Sequence, residues 1–277
     1  MTATQAIDPA APGACPSARR VHAAIADDKA MMRVAAELTR DIAEARPGIY
    51  WPDMLGSAAI GYAALAGAIL IHATWAALAC GLVAVLALYR ALLFIHEISH
   101  LHRNALPGFR TAWNVLVGVP MLTPSFMYEG VHTLHHARTR YGTVEDPEYL
   151  PLALMKPWSL PAFILIALLA PPALIVRFAI LTPLGVVFPK VRSFAWQRFS
   201  ALSINPAFRR RPPDEEMRRR FFWQEAGASL WAMVLIASVF VLGRHPLLVA
   251  LTVFSLVAVL NQLRTLVAHL WENEGEA

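Results

Sequence analysis

The sequence predicts an all-α protein that crosses a membrane about four times, as two helical hairpins with interfacial helices between them and a cytoplasmic, histidine-rich metal site. Three observations predict it. The chain is 57% hydrophobic and 16% charged, whereas average soluble domains are about 45–50% apolar and about 25% charged. Four apolar runs are each long enough to span, because about 20 residues at a rise of about 1.5 Å cross a hydrocarbon core of about 30 Å. Five of the ten histidines form two tight groups, at 96, 100 and at 132, 135, 136, directly after the second run.

Residues 1–27, beginning "MTATQAIDPAAPGACPSA", read as a disordered head. Residues 28–277 form the membrane domain. Its first element is an amphipathic helix over 28–46, with Met31, Ala35, Leu38 and Ile42 at helical spacing, Asp27 as cap and Pro47-Gly48 as stop. The first apolar stretch starts after residue 50, too late for a secretory signal. Residues 54–72 and 75–95 then pair as a hairpin around "HATW", with Arg90 placed to snorkel near the end of the second span. Residues 106–128 carry Pro107, Pro120 and Pro124 and read as interfacial.

Residues 159–188 are apolar, but "APP" at 170–172 interrupts them. Parity decides how they are placed. If the segment does not cross, both histidine groups, the basic stretch 189–223 and His269 share one face. A single crossing would separate them. A non-crossing hairpin or interfacial pair is therefore expected. The basic stretch holds Lys190, Arg192, Arg198, Arg209, Arg210, Arg211, Arg218, Arg219 and Arg220, which places that face in the cytoplasm by the positive-inside rule. Residues 225–242 and 246–268 form the second hairpin around "GRHP", and His269 follows.

The net charge of +5, from 24 Lys+Arg against 19 Asp+Glu, fits topology better than nucleic-acid binding, since no basic run is interleaved with exposed aromatics. The two cysteines, Cys15 and Cys80, are too few for a thiolate metal site. Histidine and carboxylate must hold any metal.

A helix turns about 100° per residue, so residues i, i+3 and i+4 share a face. His96 and His100 therefore point together, and so do His132, His135 and His136. His102 lies about 240° round from His96 and points elsewhere. With His269 the set reaches six donors, too many for one zinc site and suited to two metals. "HEISH" at 96–100 also matches the H-E-x-x-H zinc protease pattern, with Glu97 as general base and Glu145, Asp146 or Glu148 as third ligand. That reading leaves "HTLHH" without a task. The two-metal reading employs every clustered histidine and makes Glu97 a group that orients a ligand ring.

These boxes carry a resemblance. "HEISH" followed about thirty residues later by "HTLHH", then "DPEY", two further spans and "NQLRTLVAHLWEN", resembles the integral-membrane fatty acid desaturases and the related hydroxylases and ketolases, from about residue 50 onward. The resemblance implies two non-haem iron ions held by His96, His100, His132, His135, His136 and His269. It also implies an O2-dependent oxidation of an acyl chain, with external electrons from a donor such as ferredoxin, on a lipid or acyl-carrier substrate. The reading that follows is a desaturase in the inner (cytoplasmic) membrane, with a lipid hydroxylase or ketolase, or a membrane zinc protease using His96, Glu97 and His100, as the alternatives. The family's third box, a second HxxHH, is absent after His136, so a C-terminally truncated form with under-coordinated iron is expected. Trp113, Phe126, Trp158 and Trp223 are candidate walls of an apolar tunnel or an interfacial belt, and the arginines a candidate dock for an acidic electron donor.

Overall fold

The computed structural model describes residues 29–39, 44–102, 104–137 and 139–269. Every regular element among them is helical. The head at 1–27, the cap Asp27 and Ile42 lie outside the described residues. Lys29–Leu38 (α1) lies within the amphipathic helix expected over 28–46 but ends at Leu38, and Pro47, expected to stop it, opens the next helix instead; α1 belongs to a unit separate from the rest of the chain, which begins at Arg46.

The first hairpin is α2 (Pro47–Leu70) and α3 (Thr74–His100). α2 begins seven residues before the apolar run expected at 54–72 and stops two residues short of its end, and α3 runs five residues past the end of the run expected at 75–95. Pro47 sits in the first turn of α2, where its missing N–H has no partner to lose. On α3, Ala84, Leu88, Ala91, Ile95 and Ile98 form one buried stripe, while Leu78, Leu82 and Leu86 stay exposed. An apolar face turned outward on such a long helix fits contact with lipid, not water. Gly61 lets the two helices touch: a Cβ there would sit 2.7 Å from the Leu88 side chain. Arg90 pairs with Asp53 of α2 and lies over the Phe94 ring.

Residues 106–128 are more deeply placed than an interfacial reading suggests. They form α4 (Phe109–Trp113), a π-helical turn over Asn114–Gly118 and irregular turns. Trp113 is fully buried and donates its indole N–H to the Ala91 carbonyl at 2.8 Å. Buried Asn114 receives the Ser125 N–H at 2.8 Å and donates to the Arg110 carbonyl at 2.9 Å. These bonds satisfy backbone that no regular helix would.

Five segments are long and apolar enough to cross: α2, α3, Ser159–Val187 and the two helices of the last hairpin. The third is helical throughout, as α6 (Ser159–Leu165), α7 (Ala170–Val176) and α8 (Thr182–Val187) joined by tight and wide turns. "APP" makes no loop, because Pro171 and Pro172 fall in the first turn of α7, where a helix tolerates them. α9 (Pro189–Phe199) has 11 residues, about 16 Å of helix and half of a membrane core of about 30 Å. Immediately after it, Leu202 N–H donates to the Met127 carbonyl at 2.9 Å and Ile204 N–H to the Pro147 carbonyl at 3.0 Å. After α9 the chain thus returns to residues 127 and 147, on either side of the second histidine box.

The last hairpin is α10 (Glu215–Leu242) and α11 (Arg244–Ala268). Asp214 caps α10 by accepting from Met217 N–H at 2.8 Å, with Glu215 and Glu216 in the first turn to complement the helix dipole. Gly243 turns the chain at φ 73°, a conformation open to glycine. Phe126, Phe178, Trp196 and Phe221 form an aromatic core, with Ala228 and Ala232 as the flat seat of α10. Several of the basic residues act inside the fold. Buried Arg210 lies 4.8 Å over Trp196 and donates to the Glu129 carbonyl at 2.8 Å. Burial pulls its guanidinium down to about 10. Arg220 and Arg110 both pair with buried Glu129.

Candidate metal centre

α3 delivers His96 and His100 one turn apart at its end, and α5 (His132–His135), a single helical turn, delivers the second box opposite them. The structure brings all six predicted histidines into two adjoining groups. In the first, one ligand atom each from His96, His100, His132 and His136 lies within 4.8 Å of the others. His132 is its hub. Its Nε2 is 2.9 Å from His100 Nε2 and 2.9 Å from His136 Nε2. In the second group, His135, Glu148 and His269 meet the same criterion.

The rings are held in a defined tautomer. His132 Nδ1 lies 2.7 Å from Glu148 Oε1 and 2.7 Å from the Tyr128 hydroxyl. His135 Nδ1 faces both Asp146 oxygens at 2.9 Å. His269 Nδ1 faces the Thr265 carbonyl at 2.8 Å. A carbonyl or carboxylate can only accept, so each Nδ1 carries the proton and each Nε2 presents its lone pair. Metal-ligating histidines are oriented this way, by an acceptor behind the ring. Imidazoles and a carboxylate suit iron as well as zinc. The donor set therefore fits a metal pair in chemistry and in orientation.

Electrostatics follow from burial. Desolvation would raise the Glu148 carboxyl, but its bond to His132 and the facing His135 and His269 rings outweigh this and hold it below its ordinary value. Desolvation likewise opposes charge on His135, yet Asp146 and Glu148 raise it overall. Burial and the neighbouring rings lower His136. Burial and the Glu148 charge push the Tyr128 phenol up.

A loop supports the second group. Asp146, fully buried, also accepts from the Gly142 and Glu148 backbone N–H groups at 3.0 and 2.8 Å. Asn205, sixty residues on, donates to the Val144 and Asp146 carbonyls at 2.8 and 2.9 Å. Sequence reasoning assigned Glu148 and Asp146 only to the protease alternative, and missed Tyr128 and Asn205. The "DPEY" motif was the signal available for the first two.

The remaining expectations fall out plainly. Glu97 accepts from the Tyr50 hydroxyl at 3.1 Å and lies 3.5 Å from His96 Nδ1, the place of an orienting group. His102 follows the end of α3, is exposed and joins neither group. Glu145 is exposed beside Arg140, at 3.6 Å. Trp113 and Phe126 are core residues, whereas Trp158 and Trp223 are exposed and available to a membrane belt.

Comparison with known proteins agrees with this arrangement. A ceramide hydroxylase of Caulobacter vibrioides (strain NA1000 / CB15N) is 47% identical over 260 residues, which cover 91% of this chain and 72% of the relative. No solved structure matches the chain. The model of the fatty acid desaturase family matches residues 73–277, a range that holds both histidine groups, and the chain belongs to that family of oxidoreductases.

Proposed function

We propose that the protein is a membrane-bound non-haem di-iron lipid hydroxylase acting on a ceramide-type lipid. The observation that carries this reading is the pair of oriented donor groups in a chain 47% identical to a ceramide hydroxylase. The desaturase outcome anticipated from the boxes has weaker support, because the relative with a stated activity is named as a hydroxylase. The protease reading loses its basis in a desaturase-family chain whose His96 and His100 share their group with His132 and His136.

His96, His100, His132 and His136 would hold one iron, and His135, Glu148 and His269 the other. Two irons, when bound, supply O2 activation and oxidation of an unactivated C–H bond, which zinc lacks the redox chemistry to do. The net reaction inserts one oxygen atom into C–H and releases the other as water, with two electrons from a donor such as ferredoxin and two protons from solvent. The protein's part is position and proton control. Asp146, Glu148 and the Thr265 carbonyl keep the Nδ1 protons of His135, His132 and His269 away from the ligand face. Glu97 and Tyr50 do the same beside His96.

We place the site on the cytoplasmic side of the inner membrane. The basic residues near it support this by the positive-inside rule. Lipid profiling of cells expressing the chain tests the function. Ceramide that gains one oxygen atom agrees with it; ceramide that loses two hydrogens identifies a desaturase; release of peptides with zinc in the protein would restore the protease.

A further inference from the structure

A cavity of about 280 Å³ adjoins the four-histidine group. It lies between the first turns of α2, the last turns of α3 and the end of α11. Tyr50, Asp53, Arg90, Glu97 and Arg264 give it polar walls, with Leu93 and Phe94 as an apolar side. His96 belongs to the wall too. Its ring centroid is 4.7 Å from that of His100 and 4.6 Å from that of His132. Whatever fills the cavity therefore lies against the candidate metal centre.

Three observations identify the occupant. The first is size, since pockets that enclose a whole drug-sized ligand run from about 300 to 1,000 Å³. A two-chain lipid does not fit, but its polar end does. The second is chemistry. Asp53 is engaged by Arg90 and Ser57, and Glu97 by Tyr50, yet carboxylate oxygens accept more than one bond. Arg264 has no hydrogen-bond or ion-pair partner among the described residues, so its donors face the cavity unclaimed. Acceptors on one wall and a free cationic donor on another suit a neutral group that both donates and accepts. The third is depth. Asp53 is six residues into α2, about 9 Å along the helix, at the end of the hairpin where the site lies. That is the level of lipid head groups, while the exposed Leu82 and Leu86 of α3 mark the chain region.

We propose that this cavity binds the polar end of the lipid substrate, an amide-and-hydroxyl head of the ceramide type, and so directs oxidation to one of the first few carbons from the head. Arg264 donates to the amide carbonyl, and Asp53 and Glu97 accept from the hydroxyl and amide N–H groups. The assignment rests on the hydroxylase reading above and adds to it the substrate's orientation and the place of attack.

The test uses the full chain in lipid nanodiscs with ceramide as substrate. Tandem mass spectrometry should place the new oxygen near the head; oxygen at mid-chain or at the methyl end overturns the proposal. Arg264→Ala should raise KM for ceramide about tenfold, the weight of one charge-assisted hydrogen bond. Its kcat should stay within about twofold. Arg264→Lys should restore most of the affinity, and a long-chain alkane, which lacks the carbonyl that Arg264 is proposed to bind, should show no such change. An unchanged KM in Arg264→Ala overturns the proposal. If Arg264→Ala does not accumulate, Asp53→Asn replaces it, with a KM rise of about threefold expected as the charged acceptor for the substrate hydroxyl is lost; no rise overturns it. If the wild type oxidises no ceramide, the hydroxylase reading fails and binding decides the cavity separately. A short-chain fluorescent ceramide that binds wild type and not Arg264→Ala, at equal thermal stability, sustains the head-group site, and equal binding by both removes it.

Discussion

The two donor groups touch but are built on different terms. The first is all imidazole, and two of its four members, His100 and His136, are exposed. The second includes the carboxylate of Glu148, and both Glu148 and His135 are buried. Its rings are tied behind by Asp146 and the Thr265 carbonyl, and its loop is stapled by Asn205. The first group adjoins the cavity and the second adjoins the protein interior. We read the first as the face that meets substrate and the second as the anchored partner.

Substitutions can break this contrast. His132→Ala should have the largest effect, since His132 is the hub of one group and is bonded to Glu148 of the other. Iron, expected at about two per chain, should fall below about one, and product should drop by more than about a hundredfold; iron assay and lipid profiling measure both. His269→Ala should remove only the second metal, leaving about one iron per chain. Loss of both would show that the groups do not load independently. Asp146→Asn keeps the shape but removes the charged acceptor behind His135, and should weaken metal affinity by about 10–100-fold, read by competition with a chelator. Asn205→Ala should cost about 1–3 kcal/mol, because the buried Asp146 carbonyl loses its donor and the half-buried bond to Val144 is lost with it. Thermal unfolding of the metal-free protein reads this directly. Glu145→Ala should change stability by less than about 0.5 kcal/mol, as its pair with Arg140 is exposed.

The first group was legible because its code is local. Four-residue spacings put His96 with His100 and His132 with His136 wherever a helix forms, whereas His135, expected on the same face as His132 and His136, turns to Glu148 and His269 instead. The long apolar helices were legible for the same reason, apolar length being a property of one segment at a time. Glu148 was harder. It reaches His132 and His269 only because the turns at 139–148 fold back, and that path is set by Asp146 and by Asn205 from far along the chain. Nothing local announces Asn205. The depth of residues 109–127 was also hidden, since Trp113 and Phe126 look alike as belt or core until Ala91 and Trp196 are seen against them. The expectation of a structured amphipathic helix near the start holds for α1, and the disorder expected before it falls on residues the structure leaves undescribed.

His269 stands at the end of α11, whereas every donor of the four-histidine group comes from residues up to 136. During synthesis the first group can therefore assemble once the opening hairpin is in the bilayer and α5 has emerged. The second cannot close until the final hairpin has been inserted and its tip returned to the same side. Closure of that second group is thus a built-in report that α11 has been inserted: a cation retained there would distinguish a chain with both hairpins in place from one stalled after the first.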